Sequence, residues 1–424
     1  MTGKFSFLLF AVLLSVIFGC APRSSPLKVA DDESLPTAKE QKQLGYVLSR
    51  MLLQDLGGAY PDSAFKEYVN QVGRRLIRDS DNEQLSVSLA NDSTPLSFSL
   101  PGGFIIITRG LLQILENESQ LAALLARQAG YLRAGADAEN MRLLVRGRAV
   151  FLRDVQPAES GYSQRLVLVR QLTERLQRQD DIKRTPSAAD IAAIDLLVHS
   201  GYPLTGFFEL DEIWPDEHQT VSDAGRTVGS SRLSALRLQT VRDYIATTYP
   251  NYRSATDINT TAYLQHMENL QQVAPAYTLY DQARQAEAAE EQTRALQLYH
   301  QAIQQAPRSM LLTALGMAYL RGEDLIPARR YLRQAVTADA EYYRSRLGLG
   351  YIHLRRLEWA EAVAELEASL SLLPTFQGVF LLAEAEEGRS NSARARRLYQ
   401  QLIEADSRSV LGQTAADRLR HLPR

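Results

Sequence analysis

The chain of 424 residues has one cysteine, Cys20. No disulfide can form within it, and a thiolate metal cluster is excluded. Histidine is scarce as well. The six are His199, His218, His266, His300, His353 and His421, and no two stand three or four residues apart. A pair of imidazoles one helical turn apart, the commonest grip on a catalytic zinc, is therefore missing. Charge of one sign is also lacking: 47 Lys and Arg stand against 49 Asp and Glu, a net of −2. Such a balance gives no basic surface for nucleic acid. Apart from Phe5 to Phe18, no apolar run approaches a membrane span, and that run falls short of the roughly 20 residues a span needs. The body of the protein is expected to be soluble.

What the first residues do contain is a secretory pattern. Lys4 precedes the apolar run, and Ile17-Phe18-Gly19-Cys20 closes it. This closing segment resembles a bacterial lipobox, in which the cysteine is lipidated and becomes the mature N-terminus. Ala21 rather than aspartate follows, which by the sorting rule for such lipoproteins implies the outer membrane of a Gram-negative bacterium, facing the periplasm. The other reading is a plain signal peptide. Ser, Pro and Asp dominate from Ala21 to about Leu35, as suits a flexible tether. The expected organisation is a signal peptide over 1–20, a tether over 21–37, a first domain over 38–271 and a helical repeat domain over 272–424.

The repeat domain announces itself by its period. Ala295, Ala328, Ala362 and Ala395 occupy matching places, with steps of 33, 34 and 33. Ala283, Gly316, Gly350 and Ala383 repeat with the same steps in the preceding segments, and Leu315-Gly316 with Tyr319 forms L-G-x-x-Y. Small residues are needed where two helices approach closely, and Pro307 and Pro374 end second helices. The period and signature resemble tetratricopeptide (TPR) repeats, two antiparallel helices each. One repeat is too thin to bury its own face, so neighbours stack into a solenoid. That resemblance implies protein or peptide partners in a concave groove; bracing of the neighbouring domain is the other use of such an array.

The first domain holds one helix whose pattern poses a question. In "QLAALLARQAGYL" the apolar stripe Leu121, Leu124, Leu125, Ala129 and Leu132 is interrupted by Arg127, Gln128 and Tyr131. Asn117 stands ready to cap this helix, with Gln120 as capping-box partner. Upstream, "LSVSLAN" alternates as a strand, and "LSFSL" and "FIIIT" flank Pro101-Gly102-Gly103 as a hairpin. "RGLLQIL" opens a short helix, and two further helices come before the strands.

The segments "LSFSLPGGFIIITRGLL", "QLAALLARQAGYL" and "PSAADIAAIDLLVHSGYPLTGFF" together resemble the family-48 zinc metallopeptidases of the gluzincin group, in particular their periplasmic, TPR-bearing lipoprotein branch. The resemblance runs from Glu40 to about Trp214 and is loose between Arg148 and Arg184. It implies a mostly α fold with a small β-sheet: an α+β gluzincin-like domain followed by the TPR solenoid. The family's H-E-x-x-H falls on Arg127-Gln128-Ala129-Gly130-Tyr131, and the glutamate of its E-x-x-A-D falls on Pro186. Arginine and proline offer no lone pair to zinc, the glutamine amide is not basic, and one neutral tyrosine is a poor ligand. The resemblance thus implies a metallopeptidase fold without zinc or any other cofactor, and a non-catalytic scaffold or chaperone-type factor binding envelope proteins or peptides. The alternative is an active metalloendopeptidase with a rearranged zinc site. Asp190 matches the family's aspartate that orients a zinc-bound histidine. Two arrangements fit Arg127: an ion pair with Asp190, or a side chain that snorkels to solvent. The hairpin residues Phe98, Pro101, Gly102, Gly103 and Phe104 are the candidates for holding a peptide by strand addition; the competing arrangement makes both strands internal to a sheet.

Overall fold

A computed structural model describes residues 36–77, 84–133, 145, 147, 150, 162–178, 187–214, 232–254, 258 and 260–422. Cys20, the apolar run, residues 21–35 of the tether and Pro186 lie outside the described residues. Of the described residues, 36–150 and 172–275 form one compact unit, and 162–171 with 276–422 form another. No described helix is long and apolar enough to cross a membrane.

The first unit opens with α1 (Ala38–Asp55) and α2 (Ser63–Leu76). Thr37 and Glu40 cap α1 reciprocally, and Asp62 caps α2 through the Phe65 amide. Three short strands follow: β1 (Ser86–Ala90), β2 (Ser97–Leu100) and β3 (Phe104–Thr108). β3 is central, parallel to β1 and antiparallel to β2, with Leu100 opposite Phe104 across a 3-10 turn at Pro101–Gly103. Gly102 and Gly103 take positive φ there, 72° and 85°, which explains the glycine pair. The turn is pressed onto α1: a Cβ on Gly45 would fall 1.8 Å from the Pro101 carbonyl oxygen. Phe98, Leu100 and Ile106 enter a core with Leu44, Leu48, Leu52 and Leu56 of α1, so one face of β2 is apolar and the serine face looks the other way.

Two further helices complete the family-like segment, α3 (Arg109–Ile114) and α4 (Glu118–Arg133). Asn117 caps α4 as expected, accepting from the Gln120 amide at 3.0 Å. Gln120 reaches back one residue further than a capping box requires, to the Glu116 amide at 2.8 Å. After α5 (Tyr162–Arg178) come α6 (Ser187–His199), α7 (Thr205–Ile213) and α8 (Ala235–Thr248). α4 is buried along most of its length, packed on α6 and α7.

The second unit is a run of helix pairs. α9 (Thr260–Ala288) contributes its final part and pairs with α10 (Gln292–Gln305). Then follow α11 (Ser309–Arg321) with α12 (Leu325–Ala338), α13 (Tyr343–Arg355) with α14 (Trp359–Leu372), and α15 (Phe376–Gly388) with α16 (Ser392–Asp406). α17 (Val410–His421) packs on α16 and ends the array. Small residues seat each pair: a Cβ on Gly316 would fall 2.7 Å from Leu332, and one on Gly350 2.6 Å from Leu366. Each turn within a pair places a non-glycine residue at positive φ, namely Glu290, Glu323, Leu357 and Ser390. Their spacing repeats the 33, 34, 33 of the alanines, so the backbone carries the same period as the sequence. The first turns of α5 also belong here: Arg170 pairs with Asp406 at 2.7 Å and lies 5.9 Å from the Phe376 ring centre.

Candidate functional site

α4 is fixed at both ends before its middle is considered. At its first turn Glu118, 2 % exposed, accepts hydrogen bonds from the Tyr68 hydroxyl and, at 2.8 Å, from Tyr202. Arg75 approaches the same carboxylate and stacks over the Tyr202 ring at 4.5 Å. Burial and the neighbouring carboxylate push both phenols well above their usual range, so both stay protonated donors. Gly206 of α7 meets the same turn, since a Cβ there would fall 2.6 Å from the Ser119 carbonyl.

The short segment Thr108-Arg109-Gly110 secures the sheet to the helices. Thr108 Oγ1 donates to the Thr94 carbonyl at 2.5 Å and accepts from the Leu96 amide at 2.9 Å. Arg109, 1 % exposed, donates to Asn91 and Gln113. A Cβ on Gly110 would meet the Ser93 carbonyl oxygen at 1.9 Å. Local pattern does not announce this role; the one signal in the sequence is an arginine set between a strand and an apolar helix.

In the middle of α4, Arg127 and Gln128 are buried, 3 % and 6 % exposed, and Tyr131 is half-buried. The backbones of α4 and α6 touch at this level: a Cβ on Gly130 would fall 2.2 Å from the Ala189 carbonyl oxygen. Gln128 Nε2 donates to the Ser97 hydroxyl of β2 at 2.9 Å. Arg127 lies with its guanidinium carbon 5.8 Å from the Phe207 ring centre. The Tyr131 hydroxyl is enclosed without a hydrogen-bond partner.

Asp190, on α6, is 1 % exposed. The guanidinium that grips it bidentately is that of Arg237, on α8: Nε reaches Oδ2 and Nη2 reaches Oδ1, both at 2.8 Å. Of the two arrangements open to Arg127, an ion pair with Asp190 or a side chain reaching solvent, the second is not found, since Arg127 is 3 % exposed, and in the first the bidentate place is taken by Arg237. The placement of Arg237 has a physical cause. Residues 215–231 separate α7 from α8 in sequence, so nothing local announces Arg237. Asp211 supplies the link, accepting from the Leu233 amide at 2.6 Å and bringing the start of α8 beside α6. Burial raises the Asp190 pKa; Arg237 and then Arg127 pull it down, and Asp211 pushes it up.

The hairpin residues are distributed differently from the expectation. β3 is internal. β2 is an outer strand and pairs only with β3 among the described residues. On the opposite side of the sheet β1 is occupied: Asn70 exchanges two hydrogen bonds with Val87, and Ala59 bridges Ala90. Phe98 is buried in the α1 core, Pro101, Gly102 and Gly103 are held against α1, and Phe104 lies 6.3 Å from the Tyr46 ring. A peptide added to the sheet would meet the β2 backbone, Ser97 and Ser99 rather than those five side chains. Among the described residues, no three His, Cys, Asp or Glu side chains form a group able to hold a metal ion. His199 bonds the Asp195 carbonyl at 2.6 Å and His266 stacks on Tyr68 at 4.6 Å.

In this unit the edge of the sheet lies along α4, α6 meets α4 at Gly130, and Asp190 stands on α6. Residues 63–220 match peptidase family M48. No curated protein matches the chain. Among solved structures, the chain is similar to one described as "YrrB: a TPR protein with an unusual peptide-binding site", with 16% identity over 43% of this chain and 92% of that one, at a TM-score of 0.31. It is also similar to yeast Tom70, with 10% identity over 90% of this chain and 72% of that one, again at 0.31.

Proposed function

We propose that the protein is a membrane-tethered envelope lipoprotein whose M48-like domain has lost its metal ligands and which binds other envelope proteins through its helical repeats, without cutting them. The observation that carries this reading is the triad Arg127, Asp190 and Arg237. A family zinc would need neutral imidazoles and a free carboxylate here. The side chains present are two guanidiniums, which have no lone pair to give, and an aspartate whose two oxygens are already taken by Arg237. Gln128 spends its amide on Ser97 and has no basic atom for a water proton. The donor set does not fit zinc, so no hydrolytic step is derived from it.

The repeats supply the binding surface and Cys20 the anchor in this reading. The β2 edge is a second surface, suited to an extended segment. The test is metal analysis of the purified full chain together with cleavage of an unfolded protein. Zinc well below one equivalent, and no chelator-sensitive cleavage, is the expected outcome; one tightly held zinc with chelator-sensitive cleavage would establish the alternative, an endopeptidase with a rearranged site. Cross-linking in cells should trap many transient clients for a chaperone-type factor, or one stable partner for a subunit of an assembly.

A further inference from the structure

The first helices of the repeats carry a charge pattern with a consequence for what binds there. Ala283, Gly316 and Gly350 mark the face that each first helix turns toward its second helix. Arg284 stands one residue after its mark, Arg321 five after, Arg344 six before, and Arg355 five after. At about 100° per residue, all four fall on one stripe, roughly 100–140° around from the packed face. Neighbouring first helices lie side by side, α11 on α13 and α13 on α15, so the stripe runs on from repeat to repeat.

Two of the arginines on this stripe are held in place by tyrosine hydroxyls. Arg344 Nε donates to the Tyr343 hydroxyl at 2.9 Å, and Arg355 donates to Tyr351 at 3.0 Å. Arg321 pairs with Glu287 and is still 27 % exposed. Burial, then Arg284 and then Arg344, lowers the Arg321 pKa to about 10, so these guanidiniums are near enough to repel one another. Acids border the stripe as well: Asp281 of α9 stands at about 160° from the packed face, Glu287 pairs with Arg321, and Glu384 of α15 is tied to Arg418 at 2.7 Å. Met317 and Tyr351 lie on the same stripe, one residue after Gly316 and Gly350.

We propose that this stripe of Arg284, Arg321, Arg344 and Arg355 receives the acidic side chains of an extended partner segment, with glutamates or aspartates about three to five residues apart. The spacing follows from geometry: neighbouring packed helices lie roughly 8–10 Å apart, Arg344 and Arg355 on α13 are separated by about 16 Å along the helix axis, and an extended chain advances about 3.3 Å per residue. Each guanidinium fork takes a carboxylate with two parallel hydrogen bonds, and relief of the repulsion among the arginines adds to binding. The proposal rests on the protein-binding reading above.

Fluorescence anisotropy with the full chain tests it. The probe is an acetylated, amidated peptide carrying glutamate at every third position, compared with its glutamine counterpart and with the same acidic peptide bearing a free C-terminus. The acidic peptide should bind at least about tenfold more tightly than the glutamine one, and added salt should shrink the gap. The double variant Arg321→Gln, Arg344→Gln should abolish the preference while keeping the parent's circular dichroism and melting temperature. Arg344→Glu should shift the preference toward a peptide with lysine in place of glutamate, which guards against a variant that merely misfolds. Equal binding of the acidic and glutamine peptides would overturn the charge proposal and leave the protein-binding reading standing. Tight binding only with a free C-terminus would overturn it in favour of a terminal-carboxylate site. If neither peptide binds and cross-linking also finds no protein partner, the protein-binding reading falls with it.

Discussion

Asp190 shows how much one buried charge depends on its partner. It is 1 % exposed and Arg237 is 11 % exposed, so solvent does little to replace the ion pair if one member is removed. Arg237→Ala should lower the unfolding free energy by about 3–5 kcal/mol in urea titrations, because a carboxylate is left buried without its fork. Arg237→Lys should recover only part of this, since an ammonium does not reproduce the bidentate geometry. The folded pKa of Asp190 lies above its ordinary 3.8, with burial the largest cause. The folded state therefore holds the proton more tightly than the unfolded chain. This group's contribution favours the fold most below 3.8 and is lost as pH rises through the raised folded value. Asp190→Asn should flatten that portion of a plot of melting temperature against pH, and Arg237→Ala should move it to higher pH.

At the scale of elements, close approach and turn geometry set the terms. α4 and α6 touch backbone to backbone at Gly130, where a Cβ would meet Ala189 at 2.2 Å. Gly130→Ala should cost about 1–3 kcal/mol by forcing the helices apart, measurable as a lower denaturation midpoint at unchanged slope. In the repeats the strained positions are the turns. Leu357 has φ of 60° and is 67 % exposed, so its side chain contributes little packing to set against an unfavourable backbone. Leu357→Asn should raise stability by about 0.5 kcal/mol, since asparagine tolerates the left-handed region better. The same substitution in the α13–α14 turn should leave the charge stripe on α13 and its peptide preference unchanged.

For the whole molecule, the proposed roles divide between anchor, peptidase-like unit and repeats. Cys20→Ser should release the protein from the membrane fraction into the soluble periplasmic fraction, read by fractionation and by loss of fatty-acid labelling. A chelator should leave the melting temperature of the purified chain unchanged, because a structural metal lost on chelation would lower it. The repeats gain stability from stacking on their neighbours, so Gly316→Leu, which intrudes on Leu332, should weaken the pairs on both sides of α11 as well as its own.

Much of this organisation was legible in local pattern. Small residues at a period of 33 and 34 fix which faces of the repeat helices meet, and the structure repeats that period in Glu290, Glu323, Leu357 and Ser390. Asn117 before α4, the glycine pair in the hairpin turn and the apolar stripe around Arg127 are short-range signals, because capping, positive φ and helical periodicity act within a few residues. The partner of Asp190 was of another kind. Arg237 lies 47 residues away on a helix whose own sequence gives it no special mark, and only packing of α8 against α6 brings it in. The same holds for Glu118, which gathers Tyr68 and Tyr202 from either side of it in sequence. Periodicity decides which residues turn inward; which charges and hydroxyls then meet depends on distances between helices that no single stretch of sequence contains.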